Sequence, residues 1–443
     1  MPTPSLILVP ARFKTGKLYT PLATTSAGVV LGASGDFNVT RATTATRVNA
    51  SGLIEVVASG IPRLDYFASG GVVGCPALLV EPSGSNLVVQ SQNWLASGWR
   101  DDATANVTTV SSTTGTLDPL GTNTANAISP TSGNTSHLKV GSDGSASFTS
   151  GTIYTESGFF KQGTGNAGRY VQLTYPVSRF TQEGYANFDL QLGTVAVVSG
   201  TSADTNRAAS IENYGNGWYR CRFTATCNSA GTTNGISISL IEASGATRLP
   251  TFSGTTTDVL YGWGAQTETG SVATSYIPTT TAAATRNAEV INLSGAVSGC
   301  IGQTEGTIYV EFEHTSNTAE RRLIALSDGT ATNRCFIWAQ NNILYMQIRG
   351  SDKIIVNPIP TGYNKVAFAY EQNGASGNMY ASLNGGAIVS GTSSDYFTAD
   401  LNRVAIGNRE SITAGLQWNN RIRAAALYTT RLTNAQLAAL TTL

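Results

Sequence analysis

The chain has 443 residues, and only 12% of them are Asp, Glu, Lys or Arg, against roughly 25% in a typical soluble domain. Lys+Arg and Asp+Glu balance at 27 each, which leaves no electrostatic footprint for nucleic acid or an anionic membrane surface. At about 150 residues per domain the length suits two to four domains, and 47 glycines with abundant Ser and Thr favour contacts through hydroxyls, amides and aromatic faces.

The opening MPTPSLILVPARF has too short an apolar run and no basic flank for a secretory leader. No run of 18 apolar residues follows, so no membrane insertion is expected. Residues 41–66, RATTATRVNASGLIEVVASGIPRLDY, show no helical period, only short β-branched runs separated by turn residues. RYVQLTY predicts a strand with Val171, Leu173 and Tyr175 on one face. In GWYRCRF, an inward Tyr219, Cys221 and Phe223 would turn Trp218, Arg220 and Arg222 outward. GTIYVEFEH buries Ile308, Val310 and Phe312 by the same alternation; ILYMQIRG buries Leu344, Met346 and Ile348; NKVAFAYEQN buries Val366, Phe368 and Tyr370. Turn signals such as NYGNG, NGASGN and LNGG separate the strands at sandwich-like spacing. One helix is predicted, at the end of the chain. Thr433 is its N-cap, and Leu437 and Leu440 lie three apart on one side.

The fold class is therefore all-β with a short C-terminal helix. We expect three regions: a Gly- and Thr-rich stretch 1–85, a β domain 86–293, and a second β domain 294–443 entered through NLSGAVSG. SYIPTTTAAATRN, residues 275–287, reads as an extended connector. The Thr-rich runs recur at no fixed period, so no solenoid is expected. Five cysteines, Cys75, Cys221, Cys227, Cys300 and Cys335, are scattered and odd in number. Cys221 and Cys227 would sit about 20 Å apart on one strand at about 3.3 Å per residue, beyond the roughly 7 Å limit for bridged Cα atoms. They read as small buried thiols in a chain folded in a reducing cytoplasm.

Three sets of motifs carry a resemblance. Lys14 to Tyr19, Gly35 to Phe37, Arg41 to Asn49, Gly52 to Ile54, Pro62 to Tyr66 and Cys75 to Leu87 follow, in order, the N-terminal pattern of virion appendage proteins of tailed bacteriophages, of the head-fibre and tail-fibre type. Ser85 stands where that family usually has Thr. NYGNGWYRCRFTAT and YGWGAQTETGSVATSYIPTTTAAATR resemble two signatures of the family's jelly-roll module, which is similar to carbohydrate-binding modules. GTIYVEFEH, YNKVAFAYEQNGASGNMYASLNGGAIVSG and LNRVAIGNRE with NNRIRAAALYTTRLTNAQLAAL resemble concanavalin-A-like, laminin-G-type lectin domains. The resemblance implies an N-terminal region 1–85 for virion attachment or oligomerisation, a jelly roll at 86–293 and a lectin-like sandwich at 294–443. It implies a homotrimer in the virion, assembled in the host bacterial cytoplasm. Its partners would be other virion proteins of the capsid or tail and host-surface or mucosal glycans, bound without catalysis, cofactor or metal. A decoration protein with no glycan ligand and a glycan depolymerase are the alternatives.

The residues allow each reading to be weighed. Glu311 and Glu313 point to one strand face, at a separation that suits a glycosidase carboxylate pair. The Glu-x-Asp-x-x-Glu pattern of some jelly-roll glucanases ends here on Ser316, and a solvated strand face is the competing reading. His137 and His314, the only histidines, lie in different regions without metal-ligand spacing and read as surface residues. Asp328 and Asp352 are isolated acids that leave a calcium site unsupported. Glycan stacking could use Trp218 beside Arg220, Trp338, Tyr345, or Trp418 with Asn419, Asn420 and Arg421. The competing reading for Trp218, Trp263 and Trp418 is core packing.

Overall fold

The computed structural model describes residues 1–101, 107–111, 115–201, 204–315, 319–350, 353–356, 358–409 and 415–443. Ser316 and Asp352 lie outside the described residues. The chain forms two antiparallel β-sandwiches, one carried between two halves of the other.

The outer sandwich is built from both ends of the chain. Its first sheet runs Val389–Ser393, Ser376–Leu383, Gly362–Asn373, Glu305–His314, Asn420–Tyr428, Leu6–Leu8, Leu22–Ala23, and Gly71–Val80 joins Asn420–Tyr428 beside Leu6–Leu8. Its second sheet runs Phe13–Lys14, Lys17–Leu18, Phe37–Thr40, Val290–Ser294, Arg403–Ile406, Arg321–Ser327, Arg334–Gln340, Ile343–Ile348, Lys353–Val356. The N-terminal stretch thus supplies strands to both sheets rather than standing apart. Leu6, Leu8, Phe37, Val39, Leu78 and Val80 share one core with Ile308, Val310, Phe312, Leu344, Met346, Ile348, Val366, Phe368 and Tyr370. The alternations read from the sequence put those residues there. Ala367 and Ala369 are buried as well, because the helix Asn434–Thr441 covers their face with Leu437. Thr433 caps that helix: its hydroxyl accepts from the Gln436 amide, and the Gln436 side chain accepts from the Thr433 amide.

The inner sandwich, of jelly-roll type, faces two six-stranded sheets. One runs Trp99–Asp101, His137–Gly141, Ile236–Ile241, Tyr170–Thr174, Tyr185–Asp189, Thr194–Ser199; the other runs Val107–Ser111, Asn126–Pro130, Val259–Thr269, Ile153–Thr164, Trp218–Thr226, Ala208–Asn213. Val171, Leu173, Tyr175, Cys221 and Phe223 lie in its core. The chain enters and leaves through an antiparallel ribbon, Gly84–Asn86 against Ala284–Arg286. The boundaries expected at 85/86 and 293/294 therefore fall inside strands, Gly84–Asn86 and Val290–Ser294. Runs this short and this poor in alternation do not announce strands.

A buried ion cluster sits at the base of the ribbon. The Arg63 guanidinium donates to Glu81 at 2.6 Å and to both oxygens of Glu289 at 2.7 and 2.8 Å; Arg41 reaches Glu289 at 3.1 Å and Arg286 reaches Glu81 at 2.9 Å. These five residues are buried, and the Ser275 hydroxyl donates to the same Glu81 oxygen while accepting from Arg63 and Arg286. Burial alone would lift the Glu81 carboxyl, but Arg286 and Arg63 outweigh it and hold it well below the usual carboxylate range.

All five cysteines are free thiols. Four are buried as expected. Cys75 is exposed, because it lies in the half of Gly71–Val80 that projects beyond the sandwich core.

Candidate functional site

The sequence candidates gather at two places. The first is the outward face of the second sheet of the outer sandwich. Asn341 and Asn342, both at positive φ, form a two-residue turn that sets Gln340 against Ile343 and therefore Trp338 directly against Tyr345. The two rings stack at 4.2 Å between centroids and 20° between planes. Lys353 from the next strand holds its ammonium 4.6 Å from the Tyr345 ring and 5.2 Å from Trp338. Arg322 closes the other side, 4.0 Å over Phe336 and 5.6 Å from Trp338. The Trp338 indole N–H has no hydrogen-bond partner among the described residues, although Trp338 is only 8% exposed. Beside the stacked pair the exposed Lys353 ammonium can donate to a ring oxygen or hydroxyl, while the unmet indole N–H is buried. Lys353, Arg322 and Phe336 were not candidates from sequence. The Asn-Asn turn was the signal that would have placed Trp338 on Tyr345.

The second place is a crevice between the two sandwiches. Arg220 on the inner sandwich and Asn419, Asn420 and Arg421 on the outer one line it together, with Glu212, Arg222 and Glu313. Arg421 is held on one side by Asp65 at 2.7 Å and on the other by Glu313 at 2.9 Å. Arg222 pairs with Glu212 at 2.6 Å. Trp418 adjoins the crevice, but its ring packs edge-on to Phe312 at 5.2 Å, and its indole donates to the Glu313 carbonyl at 3.0 Å. It closes the sandwich core.

Trp218, Arg220 and Arg222 do turn away from the jelly-roll core, yet Trp218 and Arg220 are buried. The hairpin of Ala45–Val48 and Ile54–Val57 covers that face, and Val48, Ile54 and Phe67 pack with Trp218, Trp263 and Tyr276 into a satellite core. The Trp218 indole donates to the Leu117 carbonyl and that of Trp263 to the Thr124 hydroxyl. Here the competing reading, core packing, describes the placement.

Glu311 and Glu313 share a face, as expected, but each faces an arginine: Glu311 lies 3.6 Å from Arg423 and Glu313 lies 2.9 Å from Arg421. Both histidines are buried rather than superficial. His137 packs tilted against Phe252, 4.5 Å between ring centroids, and His314 ends an inner strand of the first sheet in a pocket that adjoins the crevice. Burial would raise the Asp328 carboxyl, yet hydrogen bonds from Thr330 and Asn333 hold it below its ordinary range, so its own turn already satisfies it. Among the described residues no cluster of three His, Cys, Asp or Glu side chains is placed to hold a metal, and no helix is long and apolar enough to cross a membrane.

No protein-family model matches the chain, and no curated protein matches it. Solved structures resemble parts of it. The carbohydrate-binding module CBM40 of the Ruminococcus gnavus intramolecular trans-sialidase, bound to α2,3-sialyllactose, aligns over 33% of this chain and 87% of its own, at 20% identity and a TM-score of 0.29. The K499G mutant of NanB sialidase from Streptococcus pneumoniae aligns over 34% of this chain and 26% of its own, at 13% identity and a TM-score of 0.29. The heptameric SAP-like pentraxin of Limulus polyphemus aligns over 30% and 68%, at 16% identity and a TM-score of 0.24.

Proposed function

We propose that this protein is a bacteriophage virion appendage, of head or tail fibre, that adheres to glycans without cleaving them. The observation that carries the adhesive half is the Trp338–Tyr345 stack, with its unmet indole donor and the Lys353 ammonium beside it. Tyr345, the partly exposed member of the stack, offers contact to a sugar, and the exposed Lys353 ammonium reads its hydroxyls. The virion half rests on the N-terminal motifs that resemble phage appendage proteins. Because residues 1–85 are built into the lectin-like sandwich, that sandwich itself both attaches to the particle or to sister subunits of a homotrimer and carries the aromatic stack. Each site binds weakly, and repetition over the particle supplies a gain of about 10²–10⁴ in avidity.

A glycan array with the purified full-length chain, run with a reducing-sugar assay, tests this. Binding without sugar release is expected, and Trp338→Ala weakens it by about tenfold or more, equivalent to ~1.4 kcal/mol. Silence at every glycan density removes the adhesive reading. The decoration reading has one observation of its own: Arg41, Arg63 and Glu81, which belong to the N-terminal motifs, are spent on the buried ion cluster that joins the sandwiches. Mass measurement in solution tests the homotrimer; a monomer at micromolar concentration overturns it.

A further inference from the structure

Arg220 is a charge without a direct counter-charge. It is 1% exposed, and its one hydrogen bond among the described residues goes from Nη2 to the Ser157 hydroxyl at 3.1 Å. Its Nε has no partner there, and its guanidinium lies 5.3 Å over the Phe159 ring. A buried cation is ordinarily paired and hydrogen-bonded. The carboxylates within electrostatic range, Glu212 and Glu268, are engaged elsewhere: Glu212 by Arg222, Glu268 by Gln266 and Thr274. Glu212 itself feels three arginines, Arg222, Arg421 and Arg220. Burial and the nearby Arg222 push the Arg220 guanidinium below its ordinary value, a direction that an incoming anion reverses.

The surroundings are those of a site. The enclosed part of the crevice is small, about 70 Å³, so it admits a carboxylate group while the rest of a sugar ring stays at its open mouth. Asn419 lines it from the opposite sandwich with φ of +63°, and its side-chain amide makes no hydrogen bond among the described residues. Asp65 and Glu313 also line the crevice, and both are bound to Arg421. The Arg220 guanidinium, with no carboxylate partner of its own, and the Asn419 amide on the other sandwich therefore remain available, beside Arg47 and Arg222, whose charges are already paired.

We propose that the crevice between the two sandwiches binds the carboxylate of an acidic sugar, which takes charge-assisted hydrogen bonds from Arg220 while Asn419 holds a neighbouring hydroxyl. The site is separate from the Trp338–Tyr345 stack and depends on the adhesin reading only for the choice of a sugar as the carboxylate's carrier.

Titration of the full-length protein with sodium glucuronate, glucose and sodium acetate, followed by ligand-observed NMR and thermal shift, tests it. Glucuronate is expected to bind and to raise Tm, with glucose and acetate each at least about tenfold weaker. Arg220→Gln abolishes the preference for glucuronate over glucose. Should that variant fail to fold, Asn419→Ala, on a partly exposed turn, is expected to weaken glucuronate about five- to tenfold, the scale of one lost hydrogen bond to a polar ligand. Trp338→Ala leaves glucuronate binding unchanged, so loss of the aromatic stack and loss of this site read out separately. Equal binding of all three probes, no binding of glucuronate, or full affinity in Asn419→Ala overturns the proposal.

Discussion

At the scale of single residues, the buried charges make opposite demands on pH. Glu81 ionises in the fold below its unfolded value of about 4.3, so its stabilisation is complete above that value and is lost as pH falls toward the folded one. Glu81→Gln breaks a buried pair and is expected to cost about 3–5 kcal/mol at neutral pH in chemical denaturation, and to flatten the acid limb of the stability profile. Glu156 is the reverse case. It is buried in the inner sandwich, where desolvation raises its carboxyl well above the ordinary range and its nearest donor is the Ser237 amide at 3.5 Å. The fold keeps a proton there that the unfolded chain releases, so stability falls as pH rises above about 4.3. Glu156→Gln should therefore raise Tm at pH 8 and leave it nearly unchanged at pH 4; a drop in Tm at pH 8 would refute this account. Neither role was legible in the sequence. Arg41, Arg63 and Glu81 stood out only as motif letters, because their partner Glu289 lies more than 200 residues away.

Among the elements, what repeated every second residue was readable and what depended on register was not. Glu305–His314, Ile343–Ile348 and Gly362–Asn373 declare their inner faces because each is long enough for alternation to show. Leu6–Leu8, Leu22–Ala23 and Phe37–Thr40 hold two to four residues each, too few for a pattern, and only their partners make them strands. The candidate site divides in the same way. The aromatic residues were visible, but whether each faced solvent, a core or the other sandwich depended on what covered its sheet. The helix needed no such knowledge, since Thr433 and Gln436 carry the capping pattern locally. Thr433→Ala should cost about 1 kcal/mol in urea unfolding, and no change would mean that the packing of Leu437 alone fixes the helix.

For the molecule as a whole, the insertion makes the two sandwiches unequal partners. The inner one begins and ends at neighbouring points, since Asn86 faces Ala284. Replacing residues 87–283 with two glycines should leave a folded outer sandwich that binds more hydrophobic dye, because Val48, Ile54 and Phe67 lose their cover. Removing residues 1–40 should instead give insoluble protein, because Leu6–Leu8 and Phe37–Thr40 are interior strands of their sheets. The pairing of Leu6–Leu8 with Asn420–Tyr428 also sets a clock. The Ser5 hydroxyl bonds the Leu427 carbonyl across 422 residues, and a ribosome adding about 5–20 residues per second needs some 20–80 s to cover that distance. During that interval the inner sandwich can close on its own, while the first strands of the outer one wait with bare edges. Birth of this chain is thus an inside-out event, completed only when its last strands arrive, and a cell that makes many copies at once must keep those waiting ends from finding one another first.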